Sequence, residues 1–159
     1  MWRLLFADDS ALLATTPSQL QVLMKVFNEM AKEFGLVVSI KKTEVLDPTG
    51  SCEHANRISL DDAPLALVED FKYLGSRFTA SLSMATEING RIGCAWMAFR
   101  QLQHKVFLNK RMKLETKLSL YKTMVFPALL YACESWAPST ENWASLRRIH
   151  ALHLTMILG

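Results

Sequence analysis

Two adjacent carboxylates, Asp8 and Asp9, interrupt an otherwise apolar stretch, Trp2-Arg3-Leu4-Leu5-Phe6-Ala7-Asp8-Asp9-Ser10-Ala11-Leu12-Leu13-Ala14. The pattern predicts two short strands around a tight turn at Asp8-Asp9-Ser10, a buried hairpin with acids at its tip. Carboxylates held out from a rigid apolar scaffold can serve as oxygen ligands for a hard cation. A second acidic pair, Asp61-Asp62, lies between two other short apolar segments, and there a plain solvated turn is expected. His150 and His153 also carry metal-binding chemistry, but no third ligand has suitable spacing. Cys52, Cys94 and Cys133 are odd in number and form no CxxC, which argues against a disulfide framework or a closed zinc site and for a reducing, intracellular setting.

The elements that must position these residues follow from hydrophobic spacing. Thr16 can cap a helix with Pro17 at its first position, and Leu20, Leu23, Met24, Phe27, Met30, Ala31 and Phe34 recur along it at three- and four-residue spacing until Gly35 ends it. Short strands are expected at Leu36-Val37-Val38, Glu44-Val45-Leu46, Arg57-Ile58-Ser59-Leu60, Pro64-Leu65-Ala66-Leu67 and Phe71-Lys72-Tyr73-Leu74. After Gly75 the chain should be helical. Ile88, Ile92, Ala95, Phe99 and Leu102 mark one helix, and Leu114, Leu118, Tyr121 and Val125 mark another that Pro127 should stop. Ser139 or Thr140 can cap a last helix burying Trp143, Leu146, Ile149 and Leu152. The layout is α+β followed by all-helical, changing near Ser76 to Ser83.

The 159 residues are 50% hydrophobic and 21% charged, which supports a real core without staples and excludes a disordered tail. Val125 to Cys133, the longest apolar run, contains Pro127 and falls short of the about 20 residues that span a bilayer. The first residues do not follow the order of a secretory signal. Charge is unevenly divided: residues 1–80 hold 8 Lys/Arg against 11 Asp/Glu, and residues 81–159 hold 10 against 4. A basic second half suits a polyanion such as nucleic acid or an anionic membrane, and equally a solvated helix surface. The tryptophans Trp2, Trp96, Trp136 and Trp143 are expected to fill core.

Phe6-Ala7-Asp8-Asp9 resembles the aromatic-x-Asp-Asp box of reverse transcriptases, and further segments follow in that family's order. Leu36-Val37-Val38-Ser39-Ile40-Lys41-Lys42-Thr43 is similar to the L-x-I-N-x-x-K-T segment of retrotransposon enzymes that lack long terminal repeats. Phe71-Lys72-Tyr73-Leu74-Gly75 resembles their primer-grip hairpin. Glu87 to Ile92, Pro127 to Trp136, Arg147-Arg148 and Ile157-Leu158-Gly159 are similar to the thumb and following helices. Phe6 stands where Tyr is commoner, and Ser39 where the family has Asn.

The resemblance implies a partial right-hand polymerase: a partial palm over residues 1–80, with β-hairpins plus a helix, and an all-helical thumb over 81–159. It implies RNA-directed DNA synthesis, in which two Mg²⁺ or Mn²⁺ ions activate the primer hydroxyl and stabilise the leaving pyrophosphate. Asp8 would bind metal, with Asp9 its less directly ligating neighbour. Lys42 matches a lysine placed to protonate pyrophosphate, and on spacing alone it is a surface lysine beside Lys41. Phe71, Lys72, Tyr73, Leu74 and Gly75 would hold the primer. RNA template and DNA primer are the implied partners, and the nucleus the implied site of action. Arg91, Arg100, Lys105, Lys110, Arg111, Lys113, Lys117 and Lys122 lie mostly off the apolar positions; among them Lys110, Arg111 and Lys113, with Phe107, are the strongest candidates for phosphate contact. The expectation is that the fingers and the Asp-bearing first palm strand are missing, leaving a fragment inactive alone and in need of the N-terminal part of the polymerase. A non-catalytic nucleic-acid-binding remnant, or a fragment without selected function, stays open.

Overall fold

The computed structural model describes residues 2–52 and 57–159, with only the backbone of Trp2, so the expected core role of the Trp2 ring lies outside the described residues. The chain divides into two units, one up to Ser83 and one from Met84 to Gly159.

In the first unit, β1 (Trp2–Phe6) and β2 (Asp9–Leu13) form an antiparallel hairpin with Phe6 opposite Asp9. This register leaves Ala7-Asp8 as the two-residue turn, with Ala7 at φ 52°, so the expected turn at Asp8-Asp9-Ser10 is corrected. The hairpin is not buried either. Leu4, Leu5 and Phe6 are 52%, 64% and 63% exposed, because among the described residues no further strand pairs with it and only Leu12 reaches the core.

The first helix forms as its caps dictate. In α1 (Pro17–Glu33) Thr16 accepts a hydrogen bond from the Gln19 N–H at 3.3 Å, and Pro17 opens the helix. At the far end Gly35 at φ 72° permits a Schellman closure in which Gly35 N–H donates to Lys32 C=O and Leu36 N–H to Ala31 C=O. That closure explains a second departure. The Leu36 N–H is used in the cap, no partner strand is present, and Leu36-Val37-Val38 is a loop with Val37 90% exposed.

Four short strands follow: β3 (Glu44–Leu46), β4 (Ser59–Leu60), β5 (Ala63–Pro64) and β6 (Ala66–Val68). β3 pairs in parallel with β6, and β4 pairs with β5 across Asp61-Asp62, whose φ values of 47° and 63° make a turn that hairpins favour and Asp tolerates. Met24, Val45, Cys52, Ile58, Leu60 and Leu65 form the core between α1 and these strands. β7 (Asp70–Tyr73) then pairs with β8 (Ser76–Thr79). Leu74 and Gly75, at φ 48° and 87°, turn the chain back, so the segment after Gly75 is a strand and not yet a helix.

The second unit is helical: α2 (Ala85–Leu102), a π turn at Gln103–Phe107, α3 (Leu114–Leu120), a π turn at Tyr121–Val125, α4 (Phe126–Leu129), a 3₁₀ turn at Cys133–Ser135 and α5 (Thr140–Leu158). Pro127 does not stop its helix as expected. Lacking an N–H, it cannot bond back to Thr123, and the wider π winding just before it lets the helix run on to Leu129. Ser139 caps α5 by accepting from the Asn142 N–H at 3.3 Å. None of the described helices is long and apolar enough to cross a membrane.

The core of this unit is aromatic. Phe99 stacks on Phe107 at 4.5 Å and on His153 at 4.3 Å, and Trp96 meets His153 edge-on at 4.7 Å. The inward face of α5 is therefore Leu146, Ile149, His153 and Ile157, whereas Trp143 and Leu152, expected inside, are 47% and 41% exposed. Seating the His153 ring in the stack sets the rotation of the helix, and that rotation carries Trp143 and Leu152 outward. Beside this core Glu87, buried, holds Arg91 at 2.6 Å, and the Arg91 guanidinium lies 4.5 Å from the centre of the Tyr131 ring. Removing one partner of such a pair costs about 3–5 kcal/mol.

Two predictions follow from this packing. Neither ring nitrogen of His153 has a hydrogen-bond partner among the described residues. Burial first, and the neighbouring His150 second, lower its pKa from the ordinary 6.5 to about 4. Between these values the unfolded chain binds the proton and the folded one does not, so the His153 contribution is intact above pH 6.5 and is lost as the pH falls towards 4. Unfolding midpoints measured across this range should fall more steeply for the wild type than for His153→Met. In the β7–β8 turn, Leu74→Asn creates the Asn-Gly pair most favoured at such positions and relieves a positive φ on a branched residue. It should raise stability by up to about 1 kcal/mol in denaturant titration, despite the loss of a partly exposed side chain.

Candidate functional site

The acidic pair divides between two kinds of backbone: Asp8 is in the β1–β2 turn, and Asp9 is the first residue of β2. Cross-strand partners share a face, so Asp9 lies with Phe6, Leu4 and Leu13 on a side of the hairpin that is open to solvent. Both carboxylates are exposed. The rigid buried scaffold expected beneath them is replaced by two attachments, the Leu12 side chain packed on the core and a hydrogen bond donated by the Tyr73 hydroxyl to the Leu4 carbonyl at 3.3 Å. Among the described residues no group of three His, Cys, Asp or Glu side chains comes together to hold a metal. Two carboxylates from neighbouring residues do not by themselves complete a two-metal site.

The Tyr73 bond joins two sequence candidates that lie 69 residues apart. Phe71-Lys72-Tyr73-Leu74-Gly75 spans β7 and its turn, with Phe71 and Tyr73 on one face, rings 6.5 Å apart and nearly parallel, and Lys72 exposed on the other. Asp70 at the start of β7 holds Arg77 at 2.7 Å. Lys42 sits in a separate turn in which its N–H donates to the Ser39 carbonyl at 3.1 Å. Its side chain is exposed, and the ion pairs among the described residues join Lys32 to Asp61, Arg77 to Asp70 and Arg91 to Glu87, so none joins Lys42 to Asp8 or Asp9.

In the second acidic pair, Asp61-Asp62, the first residue does more than a plain solvated turn requires. Asp61 accepts hydrogen bonds from Asn28 at 3.2 Å and Lys32 at 3.0 Å, which together hold its carboxyl below the ordinary range, Lys32 being the larger cause. It tethers the β4–β5 turn to α1. Since the ion pair is more than half exposed, solvent screens it and it adds little to stability.

Of the basic residues in the second unit, Lys110, Arg111 and Lys113 are exposed on the loop between the first π turn and α3. Met112 packs inward against the core, and the Asn109 side-chain carbonyl accepts from the Arg111 N–H at 2.9 Å, so the loop is anchored while its cations face solvent. Three other candidates are corrected. Phe107 is fully buried against Phe99, Lys117 is buried, and Arg91 is committed to Glu87 and Tyr131. Arg100, Lys105 and Lys122 remain exposed.

The two histidines part company. His153 is a core ring, whereas His150 Nδ1 lies 2.9 Å from the Tyr121 hydroxyl. Periodicity marks Tyr121 only as a core position and carries no sign of this pairing across 29 residues. Cys52, Cys94 and Cys133 are free thiols. The buried Cys52 N–H donates to Asp47, and that bond with two from Thr49 lowers the Asp47 pKa to about 2, the Thr49 hydroxyl being the largest cause. This cluster closes a loop and presents no free carboxylate oxygen pair to a ligand.

Comparison with known proteins gives the chain relatives. It is 30% identical over 160 residues to a transposon-derived protein of Caenorhabditis elegans, an alignment covering 95% of this chain and 53% of that protein. It is 21% identical over 158 residues to an RNA-directed DNA polymerase from the mobile element jockey of Drosophila funebris, covering 96% of this chain and 17% of the polymerase. The chain thus spans about half the length of the first relative and a much smaller part of the second. No family model and no solved structure matches. Over nearly its whole length, the chain is similar in sequence to proteins of transposable elements.

Proposed function

We propose that this chain is the palm end, primer grip and thumb of an RNA-directed DNA polymerase of a retrotransposon lacking long terminal repeats. The observation that carries the reading is the similarity, over nearly the whole of this chain, to two mobile-element proteins, one of them an RNA-directed DNA polymerase by name. The hairpin geometry supports it: Phe6-Ala7-Asp8-Asp9 at a tight turn, with Tyr73 bonded to Leu4 on the first strand of the same hairpin. In this reading Asp8 is the metal-binding carboxylate of the chain, with Asp9 beside it. Phe71 to Gly75 positions the primer end, Lys42 acts on the leaving pyrophosphate, and Lys110, Arg111 and Lys113 contact template–primer phosphates. Mg²⁺ or Mn²⁺ would be shared with carboxylates from the remainder of the polymerase, since the described residues supply none beyond the pair. The uncovered face of the hairpin is the side on which such a part would pack.

The absence of a third converging carboxylate among the described residues favours a second reading as well, a non-catalytic nucleic-acid-binding remnant. Extension assays separate the two. The chain alone should incorporate no dNTP on a primed RNA template with either metal. Joined to a polymerase segment carrying the other carboxylates, it should gain activity that Asp8→Ala abolishes and Asp61→Ala leaves nearly unchanged. Incorporation by the chain alone that vanishes in Asp8→Asn would overturn the claim of incompetence. Equal losses in the two alanine variants would remove the distinction between site and turn.

Binding has its own expected signature. Affinity for duplex or hybrid should fall with salt at a slope near −0.9 per phosphate contact on duplex DNA. The combined variant Lys110→Ala, Arg111→Ala, Lys113→Ala should weaken all sequences alike and flatten the slope. Competition titrations at two salt concentrations check this, and wild-type affinity in the triple variant would make these residues a solvated surface only.

A further inference from the structure

A groove of about 360 Å³ opens on the second unit, lined by Leu118, Tyr121, Lys122, Phe126, His150 and Leu154. Its size falls at the small end of ligand sites. Three rings make most of its wall: Phe126 and His150 lie 5.4 Å apart, and each lies about 6 Å from Tyr121, tilted by 34° to 49°, so none is stacked flat on another. Tyr121 and Lys122 both belong to the π turn at Tyr121–Val125, a local form that appears mostly as single-turn bulges inside α-helices, frequently at functional sites.

The polar groups of the groove are the Tyr121 hydroxyl, the His150 imidazole and the Lys122 ammonium. Tyr121 is 2% exposed, and its hydroxyl finds no partner among the described residues other than His150 Nδ1. Taking the hydroxyl as the donor to Nδ1, the arrangement that uses its proton, places the imidazole proton on Nε2. Burial keeps the Tyr121 hydroxyl protonated, with its pKa pushed up to about 12. Lys122 is exposed and has no carboxylate partner among the described residues. An apolar, ring-lined groove with an N–H donor and an ammonium group suits a flat aromatic ligand that carries acceptors and a negative charge.

We propose that this groove holds one unstacked nucleotide, its base against the half-buried rings of Phe126 and His150, with Tyr121 as the floor beneath them, and its phosphate at Lys122. The proposal deepens the nucleic-acid reading above and rests on it for the source of that nucleotide. A duplex does not fit, because its bases already cover one another's faces, whereas a single strand offers each base to an aromatic wall. Charge selects the same occupant over a second copy of the chain, since residues 81–159 carry 10 Lys/Arg against 4 Asp/Glu.

The test is titration of the full chain, followed by methyl and aromatic NMR, with adenosine 5′-monophosphate, adenosine and ribose 5-phosphate. The monophosphate should shift Leu118 and Leu154 signals and bind at least about fivefold more tightly than ribose 5-phosphate, the loss expected when a stacked base is removed. Lys122→Gln should weaken the monophosphate and leave adenosine unchanged. Equal binding of the sugar phosphate, an unchanged monophosphate affinity in Lys122→Gln, or shifts confined to the Lys110–Lys113 loop would overturn the proposal. Saturation by an acidic aromatic peptide where the nucleotide gives no shift would overturn it in favour of a protein partner. Duplex binding without a monophosphate response overturns the groove alone. A monophosphate response without any polymer binding upholds the groove and overturns the wider reading.

Discussion

The flat stack of Phe107, Phe99 and His153 is the constraint on which the helical unit depends. Three rings from three segments must meet at 4.3–4.5 Å, and each segment adjusts to allow it. The π turn at Gln103–Phe107 brings the adjacent Val106 and Phe107 both inward. α5 turns until His153, and not Leu152, faces the stack. The imidazole gives up both its hydrogen bonds to sit there, a desolvation cost of about 1–3 kcal/mol for each unsatisfied group. Close ring contact on several sides offsets it.

The same adjustment shapes the surface. Tyr121 is drawn inward edge-on to Phe107, which leaves its hydroxyl to meet His150 on the next turn towards solvent. Phe126 follows across the π turn, and the groove is the space left between these rings and α5. A core requirement thus places the half-buried rings of Phe126 and His150 beside an exposed lysine.

In the first unit the organising fact is scarcity. Among the described residues, six buried side chains and short two-stranded pairs form the core, and much of the apolar surface of the hairpin stays outside it. The acidic pair therefore rides on an element tied down by Leu12 and the Tyr73 hydroxyl. The outer face of the hairpin stays open to solvent, and a two-stranded hairpin by itself is marginally stable in water. Electrostatics divide the chain in the same sense. The acids cluster in the segment with candidate metal chemistry, and the free cations in the helical segment, where phosphate would be attracted.

What the amino-acid sequence determined alone is the local grammar. Thr16-Pro17 and Gly35 bounded α1, Ser139 started α5, and the order of the aromatic-Asp-Asp, Lys-Thr and Tyr-Leu-Gly segments pointed to a mobile-element relationship. These features depend on residues a few positions apart, where capping geometry and turn chemistry act without the rest of the fold. Tertiary structure decided everything that turns on a partner distant in the chain. Leu36-Val37-Val38 has strand composition and no strand beside it, while β8 exists because the Leu74-Gly75 turn delivers it to β7. Phe107 and Lys117 look like surface candidates until the packed structure buries them, and the α5 stripe keeps Leu146 and Ile149 but continues through His153 and Ile157 in place of Leu152. The Tyr73–Leu4 bond and the Tyr121–His150 pair span 69 and 29 residues, and hydrophobic periodicity, which reports which face is buried, carries no information about what lies across from it.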